Sequence, residues 1–146
     1  MTDRAARLAE RGMGIAAGAV LIGAASGKIL APLEFAWAIA RQGMLPAWAW
    51  APVAVALPWM ELAVGVCLVA PCPWRRGAWG AGSALFALFT LVVARLWLGG
   101  IEAPCGCFGA VDSPAGPGHA AFNALAAVFC VQGGRLSVRL QRGRPR

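Results

Sequence analysis

A chain of 146 residues is enough for one domain, and 60% of it is apolar against 13% charged. A soluble domain carries about 25% charged residues, so a mean hydropathy of +0.67 excludes a disordered chain and points to one whose solvent is partly lipid. The net charge of +7 does not mark a nucleic-acid surface. Ten of the basic residues (Arg4, Arg7, Arg11, Arg75, Arg76, Arg135, Arg139, Arg142, Arg144, Arg146) fall in three short polar segments between apolar stretches, which is a membrane-topology pattern.

A bilayer core of roughly 30 Å needs about 20 apolar residues in a helix, and four stretches come near that length. Residues 1–12 form a basic tail, followed by a first span over residues 13–30. Read as a secretory signal, this opening would end at Ala24, Ala25 and Ser26, but the apolar run is longer than such a signal needs and Lys28 continues the helical pattern. Gly14 with Gly18, and Gly23 with Gly27, repeat at four-residue spacing and would let a neighbouring helix approach closely. Residues 31–46, with Phe35, Ala36, Ile39 and Ala40 interrupted by Glu34 and Arg41 and bounded by Pro32 and Pro46, read as a short interfacial helix. The remaining spans are expected over residues 50–70, 77–99 and 118–131, the last being short and free to extend either way. The division is therefore a tail at 1–12, a membrane domain at 13–133 and a basic tail at 134–146.

With four spans, the N-terminal arginines, the Arg75/Arg76 turn and the C-terminal arginines share one side, leaving Arg41 as the loop arginine opposite. Basic residues concentrate on the cytoplasmic side. The expected fold is thus an all-α membrane protein, a bundle of four transmembrane helices with both termini cytoplasmic. Trp48, Trp50 and Trp97 would lie at the outer interface and Trp74 and Trp79 at the inner one, where indoles prefer to sit.

Lys28, Glu61 and Arg95 fall inside the apolar spans, where an ionised group costs on the order of 2.5–3.5 kcal/mol. At about 1.5 Å of rise per residue, Lys28 lies roughly 22 Å, and Arg95 roughly 27 Å, above the inner ends of their helices. Glu61 lies about 16 Å up, near the midplane. A lysine stem spans the difference, so Lys28 is the expected partner of Glu61, either as a functional pair or as a structural one that sets helix register. Arg95 either snorkels to the headgroups or stabilises a thiolate at the start of the following loop. His119 reads as a polar residue at the start of the last span.

Cys67, Cys72 and Cys130 fall near the inner ends of their spans, where a reducing cytosol leaves them as small apolar residues. Cys105 and Cys107 instead sit in the outer loop, in the run Ile101-Glu102-Ala103-Pro104-Cys105-Gly106-Cys107-Phe108-Gly109. A loop of this length between helices is functional or disordered. Cysteines separated by one residue close only a small, strained ring, which Gly106 permits, and strained, exposed disulfides are the labile ones. A static cystine and a soft-metal site completed by His119 remain alternatives.

Gly27-Lys28, Pro32 to Ala36, Leu45-Pro46, Pro58-Trp59 with Glu61-Leu62 and Gly65, and Cys105 to Gly109 followed by Asn123 resemble the methylamine utilisation protein MauE family, which groups with DoxX-like four-helix membrane proteins. The likeness extends over roughly residues 11–133, and the cysteine run is its most specific part. Phe122 stands where family members often carry an arginine before the asparagine. The resemblance implies a multi-pass protein of the bacterial cytoplasmic membrane that works with a periplasmic thioredoxin-like protein. In the namesake system this supports disulfide formation in a disulfide-rich client, the small subunit of methylamine dehydrogenase.

The resulting expectation is a membrane thiol–disulfide redox protein with Cys105 and Cys107 as the exchanging pair. Gly106, Phe108, Gly109, Arg95, Lys28, Glu61 and Asn123 support them, and a quinone near Lys28 and Arg95 is a candidate second acceptor. The competing classes are a non-catalytic membrane scaffold and a small solute or metal-ion transporter with Glu61 on the path.

Overall fold

The structure, a computed structural model, describes residues 3–101, 103, 106 and 115–142. Five helices follow one another: α1 (Asp3–Leu30), α2 (Pro32–Gln42), α3 (Ala47–Val69), α4 (Arg75–Leu98) and α5 (Pro117–Arg142). Four of them, all except α2, are long and apolar enough to cross a membrane. The all-helical membrane bundle expected from the apolar stretches is therefore present.

The helices overrun the apolar windows that predict them. α1 starts at Asp3 rather than at residue 13, because the segment before Met13 is rich in alanine, arginine, leucine and glutamate, all strong helix formers. Glu10 also ties this segment to the bundle, accepting from Arg75 Nε at 2.9 Å and from Trp79 Nε1 at 3.0 Å. α5 continues past residue 131 to Arg142. Hydropathy reports where lipid contact ends, whereas the helix ends where its backbone partners end.

The expected short helix after the first span is α2, with Pro32 at its start and Gly43 in the left-handed region (φ 64°) at its end. It turns Phe35, Ala38 and Ile39 inward and leaves Leu33 and Trp37 exposed. α3 carries Pro52 and Pro58 inside its span, a placement that membrane helices tolerate because neighbouring groups compensate for the interrupted backbone.

α1 packs along α3 through glycine. A Cβ at Gly18 would lie 2.6 Å from the Gly65 carbonyl oxygen, and one at Gly14 would lie 2.6 Å from that of Leu68. Gly23 faces open space, so of these three glycines Gly14 and Gly18 make the approach. α4 packs on α5 through Trp79, which is 1% exposed and fills the space a Gly133 side chain would need. The expectation of an interfacial Trp79 is corrected here: the paired glycines Gly133 and Gly134 admit the indole to the core, and Glu10 satisfies its N–H. Trp48 and Trp74, by contrast, are exposed.

Leu21, Leu68, Leu85, Phe86, Phe89 and Val93 form the centre of the bundle. Much of the outer surface is equally apolar, including Leu30, Val55, Leu91, Leu98 and Leu125, while Lys28, Glu61 and Asn123 are buried. Exposed apolar residues around buried charge are the arrangement expected of a chain solvated by lipid. Arg7, Glu10, Arg75, Ser137 and Gln141 line one crevice, so the N-terminal segment, the α3–α4 turn and the end of α5 meet at one end of the bundle, its arginine-rich end.

Candidate functional site: a buried ion pair and the cavity beside Gly106

Lys28 stands in the last turn of α1 and Glu61 in the middle of α3. Both side chains are 0% exposed. The Lys28 ammonium donates to Glu61 Oε1 at 3.0 Å and Oε2 at 2.9 Å, and to the Ala24 carbonyl at 3.4 Å. It also lies over two rings, 5.5 Å from the centroid of Phe35 on α2 and 5.2 Å from that of Phe89 on α4. One cation thus joins four helices, and the pairing expected from depth along the spans is present. A desolvated ring face attracts a cation by about 2 kcal/mol, so the aromatic contacts offset part of the cost of burying the charge.

The same two rings, Phe35 and Phe89, form one wall of an apolar cavity of about 300 Å³. Ile39, Gln42, Leu57, Leu88 and Gly106 also line it. Gly106 is held with φ 65°, a conformation that costs a residue with a side chain roughly 1–2 kcal/mol. A Cβ there would lie 3.3 Å from the Phe35 ring and 3.6 Å from Gln42 Nε2. Both margins of the loop are tied down. The Ile101 N–H donates to the Leu96 carbonyl at 3.0 Å, and the Ala115 N–H donates to the carbonyl of buried Ala103 at 3.4 Å. Cys105, Cys107, Phe108 and Gly109 lie outside the described residues; Gly106 is the described landmark between the two cysteines.

Arg95 is exposed and its guanidinium turns back toward Gly99, where a Cβ would meet Nη1 at 2.8 Å. It lines neither the ion pair nor the cavity. Asn123 is buried in α5, and its Nδ2 donates to the His119 carbonyl at 3.0 Å. His119 is half-buried in the first turn of α5. Among the described residues no group of three or more His, Cys, Asp and Glu side chains is placed to hold a metal ion. Cys67, Cys72 and Cys130 are free thiols.

Sequence reasoning missed the parts contributed by aromatic and amide side chains. Phe35 and Phe89 are apolar letters in apolar segments, and Gln42 sits at the end of a short helix. No periodicity announces that they converge. The Arg75–Glu10–Trp79 cluster was equally hidden, since its members are as many as 69 positions apart.

Residues 7–135 match the family described as methylamine utilisation protein MauE. The methylamine utilization protein MauE of Methylophilus methylotrophus is 36% identical over 89 residues, an alignment covering 60% of this chain and 46% of that relative. The chain therefore spans less than half the length of the curated relative it matches. No solved structure matches. With a family match running from the first turns of α1 into the second half of α5, this multi-pass membrane chain belongs to the MauE family.

Proposed function

We propose that the chain is a membrane thiol–disulfide exchange protein in which Cys105 and Cys107 oxidise a periplasmic thioredoxin-like partner that serves a disulfide-rich client. The observation that carries this reading is the seating of Gly106, the residue between the two cysteines, against Phe35 and Gln42. That contact ties the residue between the cysteines to α2, whose Phe35 ring covers the Lys28 ammonium. The arginine-rich end is cytoplasmic in this reading, by the concentration of basic residues there. The cysteine loop then faces an oxidising compartment of a bacterial cytoplasmic membrane.

In the exchange, a partner thiolate attacks one sulfur of the Cys105–Cys107 disulfide. That forms a mixed disulfide and releases the other cysteine as a thiolate, which takes up a proton. The partner's second thiolate then attacks the mixed disulfide, so that the partner leaves oxidised and the membrane pair holds two electrons and two protons as a dithiol. Restoring the disulfide needs an acceptor of two electrons and two protons, and a membrane quinone reduced to quinol meets that balance. The apolar cavity bordered by Gly106, Phe35 and Phe89 supports a planar, lipid-soluble acceptor. Its volume of about 300 Å³ is at the lower end of the range of small-molecule sites. The role of Lys28 and Glu61 is to hold that wall in place. A transport reading gains nothing from a Glu61 whose two oxygens are already engaged by Lys28.

The test is trapping. Cys107→Ser with Cys105 intact, and the converse variant, should each accumulate a partner as a mixed disulfide that is visible on a non-reducing gel and released by reductant. If the Cys105→Ser/Cys107→Ser double variant inserts normally and supports client maturation at the wild-type level, exchange is lost as an explanation. A scaffold role then replaces it.

A further inference from the structure

At the arginine-rich end, α4 and α5 border an open groove of about 670 Å³. Its charged lining is cationic: Arg76 from the first turn of α4, and Arg135, Arg139 and Arg142 from the last turns of α5. At 100° per residue, the three α5 arginines fall within about 60° of arc and span roughly 10 Å along the helix. Among the described residues no Asp or Glu lines the groove. Glu10, an acidic residue at this end of the fold, lies in a separate crevice with Arg7 and Arg75 and is engaged by Arg75 and Trp79. None of the four groove arginines forms an ion pair with a described residue.

Below its cationic mouth the groove is apolar. Trp79, Gly80, Cys130 and Val131 line it, and it reaches Ser83, about two turns deeper along α4 than Arg76. A free anion would use only the mouth. A molecule with phosphate at one end and hydrocarbon at the other would use the whole length, with guanidinium forks gripping phosphate oxygens and an acyl chain lying against Gly80, Val131 and Val138. Basic pockets between membrane helices at the cytoplasmic side recognise anionic lipid headgroups by this chemistry.

We infer that the α4–α5 groove binds an anionic phospholipid of the adjacent leaflet, with preference for a headgroup carrying two phosphates, which matches four clustered guanidiniums better than one phosphate does. The site is separate from the cysteine loop and from the Lys28–Glu61 pair, and its occupancy does not depend on the redox reading.

The experiment uses the full chain in neutral detergent and counts retained lipid by native mass spectrometry after titration with cardiolipin, phosphatidylglycerol, phosphatidylcholine or inorganic phosphate. Cardiolipin is expected to bind at least tenfold more tightly than phosphatidylglycerol, with phosphatidylcholine and inorganic phosphate weaker still. Arg135→Gln/Arg139→Gln should lower cardiolipin affinity tenfold or more. Arg4→Gln/Arg11→Gln, which removes the same charge from the same end outside the groove, should leave it within twofold. Equal loss in both variants, equal binding of phosphatidylcholine, or displacement of cardiolipin by millimolar phosphate would each overturn the inference. If the groove variant does not elute as a folded species, the wild-type protein decides: cardiolipin retention should fall at least fivefold between low salt and 0.5 M NaCl, and salt-insensitive retention overturns it.

Discussion

A lysine and a glutamate buried together in an apolar bundle are costly apart and tolerable as a pair. Removing one partner of such a pair destabilises by about 3–5 kcal/mol, because the other charge is left without compensation, while replacing both with apolar residues is often neutral. Glu61→Ala should therefore lower the unfolding midpoint in detergent sharply, and Glu61→Ala combined with Lys28→Ala should restore much of the loss. Damage in the double variant equal to the sum of the singles would show the two to be uncoupled. Gly106 offers a second residue-scale test. Gly106→Ala places a methyl 3.3 Å from the Phe35 ring at φ 65°, so the loop should pay about 1–2 kcal/mol and shift away from Phe35. Alkylation of Cys105 and Cys107 in the reduced protein should accelerate several-fold while the bundle's unfolding midpoint moves little. An unchanged alkylation rate would mean that the contact does not position the cysteines. The Lys28–Glu61 pairing was legible in the sequence because depth along a helix follows from counting residues. The flanking rings were not, because nothing in an apolar run distinguishes a phenylalanine that covers a cation from one that faces lipid.

The helices pack by two devices of different visibility. Glycine at four-residue spacing is a readable signal, yet of Gly14, Gly18 and Gly23 only the first two lie against α3. Gly18→Ala should force α1 off α3 and cost about 1–3 kcal/mol as overpacking. Gly23→Ala, with nothing within 4 Å of its added methyl, should be neutral or slightly stabilising through helix propensity. Thermal unfolding of the two variants side by side checks this, and equal effects would contradict the packing of α1 on α3. The second device, Trp79 seated on Gly133, was not legible. An indole near the end of a span is ordinarily an interfacial anchor, and whether it turns inward depends on an opening in a helix more than 50 positions away and on an acceptor, Glu10, in another.

For the molecule as a whole, an even number of spans brings the N-terminal segment, the α3–α4 turn and the end of α5 together, and basic residues crowd that end. A reporter active only in the periplasm should work when fused after Gly109 and fail after Arg146, and the reverse pattern would move the cysteine pair into a reducing compartment where a lasting disulfide is not expected. The number of spans, their order, the short helix after the first and the depth of each buried charge were determined by sequence alone. Each follows from the length of apolar runs and a fixed rise per residue, quantities local to the chain. The extension of α1 and α5 beyond the apolar windows, the choice among the glycines, the inward turn of Trp79, the aromatic cover on Lys28, and the two openings, one beside Gly106 and one between the arginines, were decided by tertiary structure. Each of these depends on which side chain from a distant segment meets another, and only the packed bundle brings those partners into contact.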